Sequence, residues 1–313
     1  MPEWLYEAGI GEARAALVDD DRILEAAIEP DHAGPLVGLV TRARLADVRT
    51  GQVMLEGGAE ALLTSVPRGL TEGAALTVEI TREPIPEPGR LKPARALVTD
   101  AEPRPAPDLL ARIAATGHPV RHCRAHARDL LEAAGWSELL AEAETGDIVF
   151  SGGALRLTPT PAMTLFDVDG GPPLNTLALA AATVVAAAIR RHGVGGSIGI
   201  DFPTVEGKAA RQAVAAAIDA GLPQPFERTA VNGFGFLQVI RPRPRASLPE
   251  RLRAEPILAA VRATLRRLER EPPGSPRAHR LPAAVHAALA ARPAWLAELA
   301  RRTGFQPQLE PSA

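Results

Sequence analysis

The chain has 313 residues, 46% apolar and 23% charged, which is enough for two or three compact units with a sizeable core. That balance excludes wholesale disorder, and no uninterrupted apolar run reaches the roughly 18–20 residues of a membrane span. A single cysteine, Cys123, excludes an internal disulfide and a cysteine-rich zinc site. The opening MPEWLYEAGIGE is acidic and lacks the order of a secretory signal, so a cytoplasmic location is expected. Lys92 and Lys208 are the only lysines, so arginine supplies nearly all the positive charge. From Phe236 onward 14 arginines face six carboxylates, whereas 21 basic residues face 31 acidic ones before it. Such asymmetry is compatible with an anionic partner at one surface.

In chain order, residues 3–29 read as a strand pair, Glu7 to Val18 and Arg22 to Ile28, around an Asp19-Asp20-Asp21 turn. Short alternating runs from Pro35 to about Val98 suggest a small antiparallel barrel. The proline-rich REPIPEPGRLKPAR cannot be a central strand. After the stiff AEPRPAPD linker come a helix near Leu109–Thr116 and helical sequence from about Val120 to Glu144, interrupted near Gly135. Asp147–Leu157, Met163–Val168, Ser197–Phe202 and Phe234–Ile240 look like strands. Leu174–His192 and Lys208–Ala220 look like helices closed by Gly193 and Gly221. The tail has helices at 256–271, about 282–291 and 293–303, broken by an EPPGSPR loop.

Chemistry gathers at two strand ends, MTLFDVDGG with Asp167 and Asp169, and GSIGIDFPT with Asp201. A strand–helix–strand unit sets its strands parallel, so their carboxyl ends share one sheet edge, where open α/β sheets hold ligands. Asp167 and Asp169 are two apart and face one side, so both could join Asp201. Clustered carboxylates repel unless a cation neutralises them, and hard oxygen ligands suit Mg²⁺ or Mn²⁺. The bland alternative is that Asp169 and Asp201 are turn residues or helix caps. In GHPVRHCRAHARD, His122 and His126 share a helical spacing, but the pattern matches no complete zinc site. Its arginines could touch phosphate instead. Arg241, Arg243 and Arg245 alternate and would face one side of a strand, as phosphate contacts or as the charged edge of a sheet. Phe234 and Phe236 could stack a base or fill a core.

The stretch SGGALRLTPTPAMTLFDVDGG, followed by a helix and VGGSIGIDF, resembles the core signature of the RNase E/G family of endoribonucleases. GFGFLQVIRPRPRASL is similar to that family's Phe-Gly-Leu-Val-Glu-Met-Thr-Arg-Lys-Arg segment, and the tail resembles its small domain. The resemblance implies an α+β protein with RNase H-like and DNase I-like subdomains, an inserted S1/OB-type barrel and a small C-terminal α/β domain. Its segments would be residues 1–34, 35–100, 108–160, 161–248 and 256–313. Asp167 and Asp201 take the roles of Mg²⁺ ligands, with Mn²⁺ able to substitute, and Asp169 stands where the family has a supporting Asn. The similarity aligns Arg241 and Arg243 with the family's basic residues and puts Pro242 where its Lys would be; together with Arg245, which shares their alternation, they are expected to bind RNA. The implied activity is metal-dependent hydrolysis of single-stranded RNA, leaving 5′-phosphate and 3′-hydroxyl ends.

Several family features are missing. No cysteine lies between Leu248 and Pro256, so no zinc is expected and any homo-oligomer would not be zinc-linked. No Val-Arg-Thr-Ala loop is present, so preference for 5′-monophosphorylated RNA is not expected. Residues 35–98 contain no Phe, Tyr or Trp, which makes the barrel a poor base-stacking platform. These losses support a second expectation, a non-cleaving RNA-binding or scaffolding protein of the same fold.

Overall fold

The computed structural model describes residues 1–31, 34–87, 90–272 and 278–312, a mixed α+β structure. Two compact units emerge, both discontinuous in sequence. The first comprises Met1–His32, Leu109–Ser137 and Leu252–Ala313; the second comprises Ala33–Asp108 and Glu138–Arg251.

In the first unit, β1 (Glu3–Ala8), β2 (Glu12–Asp19) and β3 (Arg22–Pro30) form an antiparallel run, with β11 (Val120–His122) parallel to β1. The expected strand Glu7–Val18 is therefore two strands. Gly11 breaks it with φ +80°, and a Cβ there would sit 2.6 Å from the Trp295 ring. Helix α1 (Leu109–Ala114) buries Leu109 and Ile113 against Trp4, Ala15 and Leu17. The tail helices α7 (Pro256–Glu269), α8 (Ala283–Ala290) and α9 (Pro293–Thr303) bury Val261, Leu265, Leu289 and Leu299 around Ile10. Two strands absent from the sequence reading, β18 (Ala278–Pro282) and β19 (Gln308–Ser312), pair in parallel beside them. Residues 273–277 of the expected EPPGSPR loop lie outside the described residues.

Helix from about Val120 onward is corrected. Cys123 N–H donates to Tyr6 O at 2.7 Å and Trp4 N–H to Pro119 O at 2.8 Å, so sheet pairing takes up the backbone there. Helices begin only at α2 (Leu130–Ala133), capped by Asp129, and α3 (Trp136–Thr145). His122 is thus a strand residue and His126 lies in a turn, with no shared helix face.

The charge asymmetry also finds its cause in this unit. Arg14, 2% exposed, bonds Glu7 and Glu12, each at 2.7 Å. Arg266 and Arg270 reach Glu7 at 2.8 and 3.2 Å, and both reach Asp129 at 2.8 Å. Burial raises the pKa of Asp129, but the Arg266 hydrogen bond and the Glu132 N–H outweigh it and hold the carboxyl below its usual range. Tail arginines and leading carboxylates neutralise one another, as burial of charge demands.

In the second unit a closed barrel runs β10 (Ala94–Val98), β6 (Glu60–Leu63), β5 (Gln52–Leu55), β4 (Val40–Asp47), β7 (Ala75–Arg82). Its interior holds Ala43, Leu45, Val53, Leu63, Val78 and Ile80. One pairing, β10 with β6, is parallel, so the expected wholly antiparallel barrel is corrected. Two short strands of the proline-rich segment, β8 (Ile85–Glu87) and β9 (Arg90–Lys92), pair antiparallel outside the barrel ring.

The same unit contains a six-stranded sheet in the order β12 (Asp147–Phe150), β13 (Gly153–Pro159), β14 (Thr164–Gly170), β15 (Gly196–Asp201), β17 (Phe236–Arg241), β16 (Glu227–Arg228). Only β14 and β15 pair in parallel, across the helix α4 (Leu174–Arg191). By length and a mean hydropathy of 1.3, α4 could cross a membrane, yet Ala178, Ala181, Ala182, Val185 and Ile189 are wholly buried in the sheet core. Helix α5 (Lys208–Gly221) packs beside it so closely that a Cβ on Gly221 would lie 2.8 Å from that of Ala186. The short helix α6 (Leu248–Ala254) follows the sheet.

At the end of α4, His192 is fully buried and its Nε2 lies 3.1 Å from Glu142, which also accepts from Arg191 at 2.6 Å. Burial raises the Glu142 pKa, but the His192 hydrogen bond and both neighbouring charges carry it below the usual glutamate value. A depressed folded pKa stabilises above the unfolded value, and that stability is lost as pH falls through the folded one. Glu142→Gln is expected to cost about 1.5–3 kcal/mol at neutral pH. Its urea midpoint should also fall less than wild type's as pH drops below the usual glutamate range.

Candidate functional site

Alternation along β14 turns Phe166 and Val168 into the core, so Leu165, Asp167 and Asp169 occupy the opposite, open face. Likewise Ile198 and Ile200 turn into the core, and Gly199 and Asp201 share the other face, where Asp201 is exposed. Register then aligns a row across five strands: Asp147 opposite Arg156, Arg156 opposite Asp167, Asp167 opposite Asp201, and Asp201 opposite Phe236. Neighbouring strands stand about 4.8 Å apart, so the two aspartates are side by side. Gly199 lies one step below them. A Cβ there would meet the Phe236 ring at 2.8 Å and the Met163 sulfur at 2.9 Å, so the glycine lets those side chains floor the row.

Asp169 does not join the pair. It opposes Ala154, and the last β14–β15 pairing is Asp167 with Asp201, beyond which β15 gives way to a loop. Among the described residues no three His, Cys, Asp or Glu side chains are grouped to hold a metal. The expected three-carboxylate cluster is therefore reduced to two. Those two still fit Mg²⁺, which is commonly held by one or two carboxylates with waters and substrate phosphate completing its shell. The cap alternative fails, since Pro173 and Gly207 cap α4 and α5 without a side-chain bond.

Two residues that the sequence reading missed belong to this edge. Arg156 stands in the aspartate row, 61% exposed, paired with Asp147 at 3.0 Å. Such an exposed pair contributes little stability and is readily exchanged. Its signal was present in the run ALRLT, where one charge interrupts apolar alternation, but only the hairpin register puts it opposite Asp167. Asn175, in the first turn of α4, accepts from Glu206 N–H at 3.0 Å and donates to Glu206 O at 3.1 Å. That clamp ties the loop after Asp201 to the start of α4, and the N-termini of both helices open on this same edge.

The three expected RNA-binding arginines are elsewhere. Arg241 opposes Gly196 while Phe236 opposes Asp201, so five residues, roughly 17 Å of strand, separate Arg241 from the aspartate row. The strand ends at Arg241, which corrects the expected one-sided alternation. Arg243 bonds Glu250, and Arg245 and Arg251 pair with the buried Glu83 at 2.8 and 2.9 Å. Glu83 N–H also donates to Pro244 O at 2.8 Å, fixing this segment to the end of β7.

A cleft of about 480 Å³ in the first unit is lined by Tyr6, His122, Cys123, His126 and Arg270. Burial, reinforced by Glu7, pushes the Cys123 thiol pKa up, making it a poor nucleophile and metal ligand. No family model matches this chain, and comparison with curated proteins finds no match.

A tight turn precedes β17. Asn232 Oδ1 accepts from Phe234 N–H at 2.9 Å and Phe236 N–H at 3.0 Å, and Gly235 O accepts from Phe202 N–H at 3.3 Å. Gly235 has φ +95°, and a Cβ there would fall 2.3 Å from Phe202 O. Gly235→Ala is expected to lower stability by about 2 kcal/mol or more, read from urea unfolding, because both the conformation and the close approach exclude a side chain.

Proposed function

We propose that this chain is a divalent-metal-dependent endoribonuclease of the RNase E/G type, acting on single-stranded RNA. The observation that carries the reading is the in-register placement of Asp167 beside Asp201 on the open face of parallel strands, at the edge where two helices begin. The closed barrel and the sheet with its two helices are compatible with the S1/OB-type and nuclease subdomains that the sequence resemblance implies.

Asp167 and Asp201 would hold Mg²⁺, or Mn²⁺ in its place. Bound there, the ion would supply an activated water and charge neutralisation at the phosphoryl group. Asp169, off the end of the pair, takes a supporting position on the same strand face. Arg156 is the cation best set to hold a phosphate oxygen one strand away, exchanging Asp147 for substrate. The N-terminus of α5 with Lys208, and that of α4, add positive potential at the same edge. The backbone-binding role expected of Arg241, Arg243 and Arg245 passes to these groups, because Arg243 and Arg245 are engaged with internal carboxylates. A second reading, RNA binding without turnover, is favoured by the family features this chain lacks, among them any Phe, Tyr or Trp over residues 35–98.

An unstructured oligoribonucleotide should be cut by wild type with Mg²⁺ or Mn²⁺ and not with EDTA. Asp167→Asn with Asp201→Asn should bind it and lose at least about 100-fold in cleavage rate. Equal cleavage by the double variant overturns the enzyme reading, and binding without cleavage by wild type selects the second. Arg156→Gln should weaken RNA binding and reduce the slope of log affinity against log salt by about 0.7, one phosphate contact on a single strand. Its unfolding midpoint should not move.

A further inference from the structure

Among the described residues Phe234 is the only Phe, Tyr or Trp that stands exposed, at 87%. We propose that Phe234 is a stacking platform for one nucleobase of single-stranded RNA beside the Asp167–Asp201 pair, an inference that rests on the RNA reading above.

Position is the first argument. Phe236 opposes Asp201, and Gly235 bonds Phe202, the residue after Asp201, so Phe234 is held about two residues from the aspartate row. Two residues of chain span at most about 7 Å, so the ring stands close to a phosphate held at the aspartate row. Rigidity is the second. The Asn232 side chain fixes two successive alternate N–H groups of the turn, and Gly235 seats it against the Phe202 and Pro203 carbonyls. With the backbone beneath it already fixed, only the two side-chain torsions of Phe234 remain to be ordered when a base covers the ring. Isolation is the third. The ring is flanked by the exposed Asn232 and Gly233 on a polar turn, which suits a flat partner of one ring's size better than a protein interface of many residues. The barrel, which lacks aromatics over 35–98, leaves base stacking to another part of the chain.

The test measures binding of a short fluorescein-labelled oligoadenylate, and of an abasic oligomer of equal length, in EDTA. Wild type should prefer the oligoadenylate, and Phe234→Ala should bind it at least about fivefold more weakly while binding the abasic oligomer as wild type does. Phe234→Leu should behave like the alanine variant, because an aliphatic side chain has no π face. Phe234→Trp should retain affinity, and its added fluorescence should be quenched by the oligoadenylate and not by the abasic oligomer. Wild-type affinity in Phe234→Ala overturns the proposal. Full rescue by Phe234→Leu overturns it in favour of a simple apolar contact. Unchanged RNA binding with a fall in molecular mass in solution overturns it in favour of a contact between copies of this chain. If wild type binds no oligomer, the RNA reading and the platform fall together. If Phe234→Ala weakens binding but wild type never cleaves with Mg²⁺, the platform stands and the nuclease reading falls.

Discussion

The parallel pairing of β14 with β15 in one register is the constraint on which the candidate site depends. Asp167 and Asp201 come from segments more than thirty residues apart, and the crossover through α4 sets them side by side. A slip of one residue would oppose Asp201 to Phe166 or Val168 and turn one of the two strands inside out. The core forbids that slip, because Phe166, Ile198 and Ile200 are wholly buried against α4 and α5. The buried face therefore determines the geometry of the exposed one.

Charge follows a similar division. The basic tail, read in isolation, suggests a surface awaiting an anion. Folding returns much of that charge to the interior of its own unit: Arg266 and Arg270 meet Glu7 and Asp129, and Arg262 approaches Glu12 at 3.7 Å. In the second unit Glu83 absorbs Arg245 and Arg251 in the same way. Pairings at such burial contribute less to net stability than to a unique arrangement, since any alternative packing strands a charge. What is left in the aspartate row is sparse and specific: Arg156 among Asp147, Asp167 and Asp201.

Much of the fold was legible. Helices α4, α5 and α7 to α9 carried the apolar period and the glycine or proline stops that define them, and the barrel strands carried alternation with turn residues between. What escaped had a physical reason. The segment Val120–His122 has no local strand signal, and pairing with β1 decides it. The break at Gly11 is set by a ring from residue 295, far along the chain. Of the site, the two aspartates were visible as strand-end carboxylates, whereas Arg156 was not, since a lone arginine in a strand has meaning only once its cross-strand partner is known. Arg241, Arg243 and Arg245 do not form one unit, because β17 ends at Arg241 and Pro242 and Pro244 stop the ladder that strand alternation requires.

By itself the sequence determined the apolar faces, the helix and strand types, and which residues could carry charge to a strand end. Those are local properties, governed by side-chain period and backbone preference over a few residues. Tertiary structure alone decided which carboxylates became neighbours, which arginines were neutralised and which ring stayed in solvent. Each of those depends on register and long-range packing, where partners distant along the chain compete for the same space and the same charge.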